Sequence, residues 1–94
     1  MYRIIDTRGT GKTSRLMLIA KENDAIFVCQ NQNSMRQKAY SYGITGIEFI
    51  GYNECDKLNT EFFKGHKIVV DDLEMFINFI FNGVNLIGYS LSKD

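Results

Sequence analysis

The chain has 94 residues, a formal net charge of zero and a pI near 6.6, with 45% hydrophobic and 23% charged residues. This length predicts one domain spanning residues 1–94, and the composition excludes disordered, collagen-like and low-complexity proteins. The charge balance argues against a generally basic nucleic-acid-binding protein, so contact with nucleic acid is left open but without support from charge.

The charges are distributed unevenly along the chain. The first 43 residues carry seven basic and three acidic side chains, whereas the remainder carries four basic and eight acidic ones. This asymmetry predicts a cationic, anion-binding end in the first half and an acidic, metal-facing segment in the second. Chance variation in a short chain is the alternative.

The cysteines and the N-terminus bear on location. Cys29 and Cys55 have no metal-ligand spacing and are too few to staple a small secreted fold. The N-terminus lacks the apolar run of a signal peptide, and no stretch reaches the roughly 18 apolar residues of a membrane span. We therefore expect a reduced, cytoplasmic protein with no membrane partner.

Apolar runs alternate with amphipathic segments along the chain. Five strands are predicted, at 2–5, 25–29, 47–50, 67–70 and 84–89. Helices are predicted over 12–23, from an Asn31 or Asn33 cap to about Tyr42, over 53–63 and over 73–81. The alternation indicates an α/β fold with three layers, α/β/α, around a mostly parallel sheet of about five strands.

A glycine-rich segment lies between the first predicted strand and the first predicted helix. It reads Arg8-Gly9-Thr10-Gly11-Lys12-Thr13-Ser14. Glycines let successive backbone N–H groups turn toward phosphate oxygens, and the helix start adds unpaired N–H groups and a positive dipole end. Lys12 would then reach the β- and γ-phosphates, and the Thr13 hydroxyl would bind Mg²⁺. A strand-to-helix turn with a fortuitous lysine is the alternative.

A second segment with candidate site residues is the apolar strand at 68–70, which is followed by Asp71 and Asp72. A strand parallel and near to the first would bring Asp71 to the Mg²⁺, usually through water. The segment resembles the Walker B element of P-loop NTPases, and the resemblance implies that Asp72 stands where many of these enzymes carry a glutamate that orients the attacking water. The alternative is that one of these aspartates caps the following helix.

Together these segments resemble the Walker A and Walker B elements of the P-loop NTPase superfamily, and the predicted element order resembles that superfamily over nearly the whole chain. The pattern G-x-x-x-x-G-K-[ST] is matched except at Asp6, which stands in place of the first glycine. The arginine-containing loop is especially similar to those of phage large-terminase and helicase-type motors. The resemblance implies a minimal or truncated RecA-like ATPase core of phage or mobile-element origin.

The implied function is binding of ATP or another NTP with Mg²⁺, with slow hydrolysis as an option. Lys12 and Asp72 are then catalytic, residues 8–14 bind the nucleotide, and Thr13 and Asp71 hold the metal. The alternative is a docking or inhibitor module that keeps a P-loop fold and binds another protein without turnover. A kinase would need a lid and an acceptor pocket, for which this length leaves little room.

The helix predicted over 73–81 is apolar on nearly every side. Helical spacing assigns four residues to the inward face, namely Leu73, Phe76, Ile77 and Ile80. Three apolar residues are left over, namely Met75, Phe79 and Phe81. Contiguous exposed apolar surface usually marks an interface, so we expect this helix to contact a second copy or a partner protein. Coverage by neighbouring helices within the monomer is the alternative.

Overall fold

The computed structural model describes residues 3–5, 11–59, 64–90 and 92, which form a small α/β domain. The elements in chain order are α1 (Lys12–Asn23), β1 (Ile26–Cys29), α2 (Gln32–Ser41), β2 (Phe49–Gly51), a 3₁₀ helix (Tyr52–Asn59), β3 (Ile68–Val70) and α3 (Leu73–Ile80). The predicted α/β class is confirmed. None of the helices in these ranges is both long enough and apolar enough to cross a membrane.

The described sheet is parallel, with β1 in the centre and the order β2-β1-β3. Val28 of β1 lies opposite Ile50 of β2 on one side and Val70 of β3 on the other. Every residue of β1 is buried, as expected for a continuously apolar central strand. The chain runs from β1 to β2 and then crosses to the other side, so a crevice is expected at the carboxyl ends of β1 and β3.

One buried cluster holds α1 and α2 against the sheet. Its members are Met17, Ala20, Ala25, Phe27, Cys29, Met35, Ala39 and Phe49. The rings of Phe27 and Phe49 meet edge to face, with centroids 5.3 Å apart, and join two neighbouring strands. This cluster fixes the starts of both helices relative to the carboxyl edge of the sheet.

The first two helices begin after residues with clear stereochemical roles. Gly11 precedes α1 with φ at 78°, a left-handed conformation that glycine adopts without cost from a Cβ. Asn31 caps α2, because its side-chain oxygen accepts a hydrogen bond from the Ser34 N–H at 3.0 Å. Asn31, and not Asn33, is therefore the cap between the two predicted alternatives.

Two predicted strands are wrong. Residues 3–5 and residues 84–89 lie outside the sheet, whereas Tyr2 lies outside the described residues. The described part of the chain thus has three strands, without the five-stranded P-loop arrangement. Ile87 is 98% exposed, because an apolar run becomes a buried strand only where a neighbouring strand pairs with it and a layer covers it.

The segment predicted as a helix over 53–63 is a 3₁₀ helix at Tyr52–Asn59, and residues 60–63 lie outside the described ranges. Asn53 and Asp56 are poor α-helix formers because their short polar side chains compete for backbone hydrogen bonds. The tighter helix starts directly at the end of β2. It therefore keeps its first residue at the carboxyl edge of the sheet.

The face that α3 turns toward the domain differs from the predicted one. Three residues are partly buried, namely Met75, Phe76 and Ile77, whereas four are exposed, namely Leu73, Phe79, Ile80 and Phe81. The predicted inward placement of Leu73 and Ile80 is wrong, because α3 contacts the 3₁₀ helix and the prediction assumed contact with a sheet. The predicted surplus at Phe79 and Phe81 is confirmed as exposed.

Candidate functional site

The described part of the predicted phosphate-binding loop begins at Gly11. Three of the predicted binding residues lie outside the described ranges, namely Arg8, Gly9 and Thr10, and so does Asp6. The N–H of Arg15 donates to the Gly11 carbonyl at 3.1 Å, so the N–H groups of residues 12–14 precede the helical hydrogen-bond ladder. Ser14 Oγ also donates to that carbonyl at 3.0 Å. The first turn of α1 therefore has the polarity that favours an anion.

The structure packs α1, which begins at Lys12, against β3, which is followed directly by Asp71. Burial raises the pKa of the Asp71 carboxyl, and the Asp72 carboxylate adds to this effect. The ammonium groups of Lys38 and Lys12 oppose it, and the pKa remains above its ordinary value. Two motifs that are distant in sequence are thus close enough for their charges to interact.

A cleft of about 190 Å³ opens at the carboxyl ends of β1 and β3. Its lining residues are Gln30, Asn31, Ser34, Met35, Lys38, Tyr52, Asp71, Asp72 and Met75. Open α/β sheets bind ligands at this edge, where the connections from adjacent strands diverge. The cleft combines a lysine with two carboxylates and several uncharged hydrogen-bonding groups, a chemistry that suits polar ligands.

Asp72 has a structural role as well as a place in the cleft. Its backbone is left-handed, with φ at 57° and ψ at 76°, a conformation that residues with a Cβ rarely adopt. Its Oδ1 accepts a hydrogen bond from the Met75 N–H at 3.1 Å, which caps α3. Asp72 therefore caps the following helix, as the predicted alternative states. This cap uses one carboxylate oxygen and does not need the other.

Tyr52 joins the end of β2 to the end of β3. Its hydroxyl donates to the main-chain carbonyl of Asp71, and the carbonyl oxygen of Asp72 lies 3.2 Å away. Burial raises the pKa of Tyr52, and the neighbouring carboxylates of Asp71 and Asp72 raise it further. The hydroxyl therefore keeps its proton, and its capacity to donate, through the neutral pH range.

Several cleft residues were not predicted as site residues. Asn31, Ser34 and Lys38 follow the spacing i, i+3 and i+7, which places them on one face of α2. This spacing, together with the position of Gln30 and Asn31 after an apolar strand, is a usable signal. Tyr52 carries no comparable signal, because its role depends on a contact with a strand that is distant in sequence.

Mg²⁺ requires oxygen ligands in a near-octahedral arrangement. Within the described ranges, no group of three or more His, Cys, Asp or Glu side chains is placed to hold a metal ion. Asp71 and Asp72 provide adjacent carboxylates, and Thr13 provides a hydroxyl in the first turn of α1. Mg²⁺ is usually bound by one or two carboxylates plus phosphate and water. The chemistry of these side chains therefore suits Mg²⁺ that is bound together with a nucleotide.

The sequence-specific support for the resemblance to P-loop NTPases comes from the residues of the two motifs. Those residues are Gly9–Thr13 and the strand-end segment 68–72. Comparison with protein-family models, curated proteins and solved structures finds no significant match to this chain.

Proposed function

We propose that this protein binds ATP, or another nucleoside triphosphate, together with Mg²⁺ and hydrolyses it slowly. The observation that carries the proposal is that α1, which begins at Lys12, packs against β3, which is followed directly by Asp71. A lysine suited to phosphate and a carboxylate suited to Mg²⁺ meet at the carboxyl edge of a parallel sheet, where such ligands are usually bound. Two motif fragments that matched by chance would have no reason to lie at the same edge of the sheet.

Each proposed binding residue has a distinct task. The N–H groups at the start of α1 and the Lys12 ammonium hold phosphate oxygens, and Gly11 permits the tight entry into the helix. Arg8, Gly9 and Thr10 lie outside the described ranges and remain predicted nucleotide-binding residues. Thr13 and Asp71 hold Mg²⁺, which when bound neutralises charge on the β- and γ-phosphates.

The proposed hydrolysis is slow because of the position of Asp72. One of its carboxylate oxygens is engaged by the Met75 N–H, which leaves the other to orient a water. Lys38 is the cation that lines the described cleft, and it lies on the α2 side. Phosphoryl transfer depends on positioned charge, and beyond Lys12 the described cleft lining adds Lys38 as its one cation, which predicts weak stabilisation of the transition state.

A second candidate function, docking on another protein, is favoured by the surface of α3. Five large apolar side chains on and after this helix are about half exposed or more, namely Leu73, Phe79, Ile80, Phe81 and Val84. Exposed apolar surface of this kind is typical of protein interfaces. In this candidate, the helix over 73–81 contacts a second copy or a partner protein, and turnover of nucleotide is not required.

Nucleotide-dependent thermal stabilisation tests the proposed function. ATP or ADP with Mg²⁺ should stabilise the wild-type protein and should stabilise the Lys12→Ala variant much less. If neither nucleotide changes the melting temperature, the nucleotide-binding proposal fails and the docking function takes its place. The two candidates are separable because Lys12 and α3 can be altered independently.

A further inference from the structure

The Tyr52 side chain spans the described sheet from β2 to β3 at its carboxyl edge. It directly follows β2, while its hydroxyl reaches main-chain carbonyls that directly follow β3. The central strand β1 lies between these two strands, and neighbouring strands are spaced by about 4.8 Å. The side chain therefore connects the two outer strands across the end of β1.

The two carbonyls that the Tyr52 hydroxyl contacts belong to the two peptide planes on either side of the Asp72 α-carbon. The Asp71 carbonyl lies in the plane before it and the Asp72 carbonyl in the plane after it. The relative rotation of these planes defines φ and ψ of Asp72, which is left-handed. The Tyr52 hydroxyl lies within hydrogen-bonding distance of both carbonyl oxygens, and these contacts favour the otherwise uncommon backbone conformation of Asp72.

The Tyr52 ring is itself held in place. It is only 3% exposed, and it meets the Phe76 ring at a centroid distance of 5.2 Å and an interplanar angle of 65°. The Phe79 ring lies 5.9 Å away on the next turn of α3. Packing against the same helix that Asp72 caps makes the tyrosine a fixed support and not a mobile surface group.

From this geometry we propose that Tyr52 is a positioning residue that fixes the backbone at Asp71 and Asp72, and so orients the Asp71 carboxylate to bind Mg²⁺ with a nucleotide. The inference rests on the proposed function. Groups that orient metal ligands without touching the metal usually affect metal affinity strongly when they are removed. Tyr52 thus links the start of the 3₁₀ helix to the proposed metal ligand that follows β3.

The test compares ADP affinity in Mg²⁺ with ADP affinity in EDTA, measured by titration calorimetry on the full chain. Tyr52→Phe keeps the ring and removes the hydroxyl, and Tyr40→Phe is the matched control because Tyr40 is 84% exposed on α2. We expect Tyr52→Phe to weaken binding in Mg²⁺ by about tenfold or more and to leave binding in EDTA unchanged. Tyr40→Phe should behave as wild type in both conditions.

Equal weakening in Mg²⁺ and EDTA, or no weakening in either, overturns the positioning role while leaving nucleotide binding intact. If the wild type binds ADP in neither condition, the proposed function and this inference fail together. Should Tyr52→Phe not fold by circular dichroism, Phe76→Leu replaces it, since this variant keeps the hydroxyl and removes a ring contact that orients it. A folded Phe76→Leu protein with an unchanged preference for Mg²⁺ also overturns the inference.

Discussion

The Oδ1 atom of Asp72 accepts a hydrogen bond from the backbone N–H of Met75, 3.1 Å away. This bond caps α3 with the same side chain that lines the cleft at the carboxyl edge of the sheet. The stability of the helix and the chemistry of the cleft therefore share one carboxylate. Substitution can separate them, because asparagine caps helices about as well as aspartate but carries no charge.

Asp72→Ala should lower the free energy of unfolding by about 1 kcal/mol, since it removes the cap. Asp72→Asn should remain within about 0.5 kcal/mol of wild type, because it keeps an acceptor and tolerates the left-handed backbone. Urea unfolding of the three proteins measures the difference. An alanine variant as stable as wild type would show that the cap contributes nothing.

Hydrolysis of ATP by the isolated protein should be far slower than the roughly 10 s⁻¹ that is typical of enzymes. The reason is the divided role of Asp72 and the single lysine in the described cleft lining. Phosphate release under saturating Mg²⁺-ATP is the measurement, with Asp72→Asn as the variant expected to lose the residual rate. Steady turnover near 10 s⁻¹ without any partner would mean that the site is more complete than proposed.

The apolar surface of α3 predicts association. Phe81 is the suitable position to change, because it is 56% exposed, whereas the Phe79 ring contacts Tyr52. Phe81→Glu should convert a self-associated protein to a monomer in sedimentation experiments, or should abolish binding to a partner protein. The matched control, Tyr40→Glu on α2, should do neither. Folded monomers for wild type and Phe81→Glu alike, with unchanged partner binding, would refute the interface.

Cys29 makes stability depend on pH in the alkaline range. The residue is fully buried, and burial, followed by the Asp71 charge, raises its pKa from 9.0 to about 11. Between these values the unfolded chain releases the thiol proton and the folded chain keeps it. Stability should therefore fall from pH 9 to pH 11, with a slope of up to about 1.4 kcal/mol per pH unit.

Unfolding by urea across this pH range, for wild type and Cys29→Ala, measures the contribution of the thiol. The alanine variant is less stable overall because it leaves a small cavity, but its stability should fall less steeply above pH 9. Tyr52, whose pKa is also raised, and Cys55 are present in both proteins. Parallel pH profiles would contradict the raised pKa of Cys29.

The sequence predicts most of the fold between Lys12 and α3 because the apolar runs there are paired in the sheet and covered by its helices. The 12–23 helix agrees with the structure at both ends. The segment 84–89 has an equally apolar pattern but no place in the described sheet. Side-chain pattern indicates a preference for extended structure, whereas strand membership also requires a partner, which local sequence does not specify.

The candidate site was predictable to the extent that its residues lie at strand and helix ends. Asp71 follows an apolar strand, and Lys12 opens a helix after a glycine. Lys38 could not be distinguished from a solvated surface lysine, because only the tertiary arrangement brings it near Asp71. Tyr52 was not predicted for the same reason, since its hydrogen bonds connect the end of β2 to the end of β3, which is distant in sequence.

Thermal unfolding in the presence of nucleotide is the most direct test of a Mg²⁺-nucleotide site between α1 and β3. ATP or ADP with Mg²⁺ should raise the melting temperature, because a ligand at 100 times its Kd stabilises the folded state by about 2.7 kcal/mol. Lys12→Ala should lose most of this shift through about a ten- to hundredfold weaker affinity. Lys21→Ala, at the other end of α1, should keep it. No shift for wild type with any nucleotide at millimolar concentration would contradict the site.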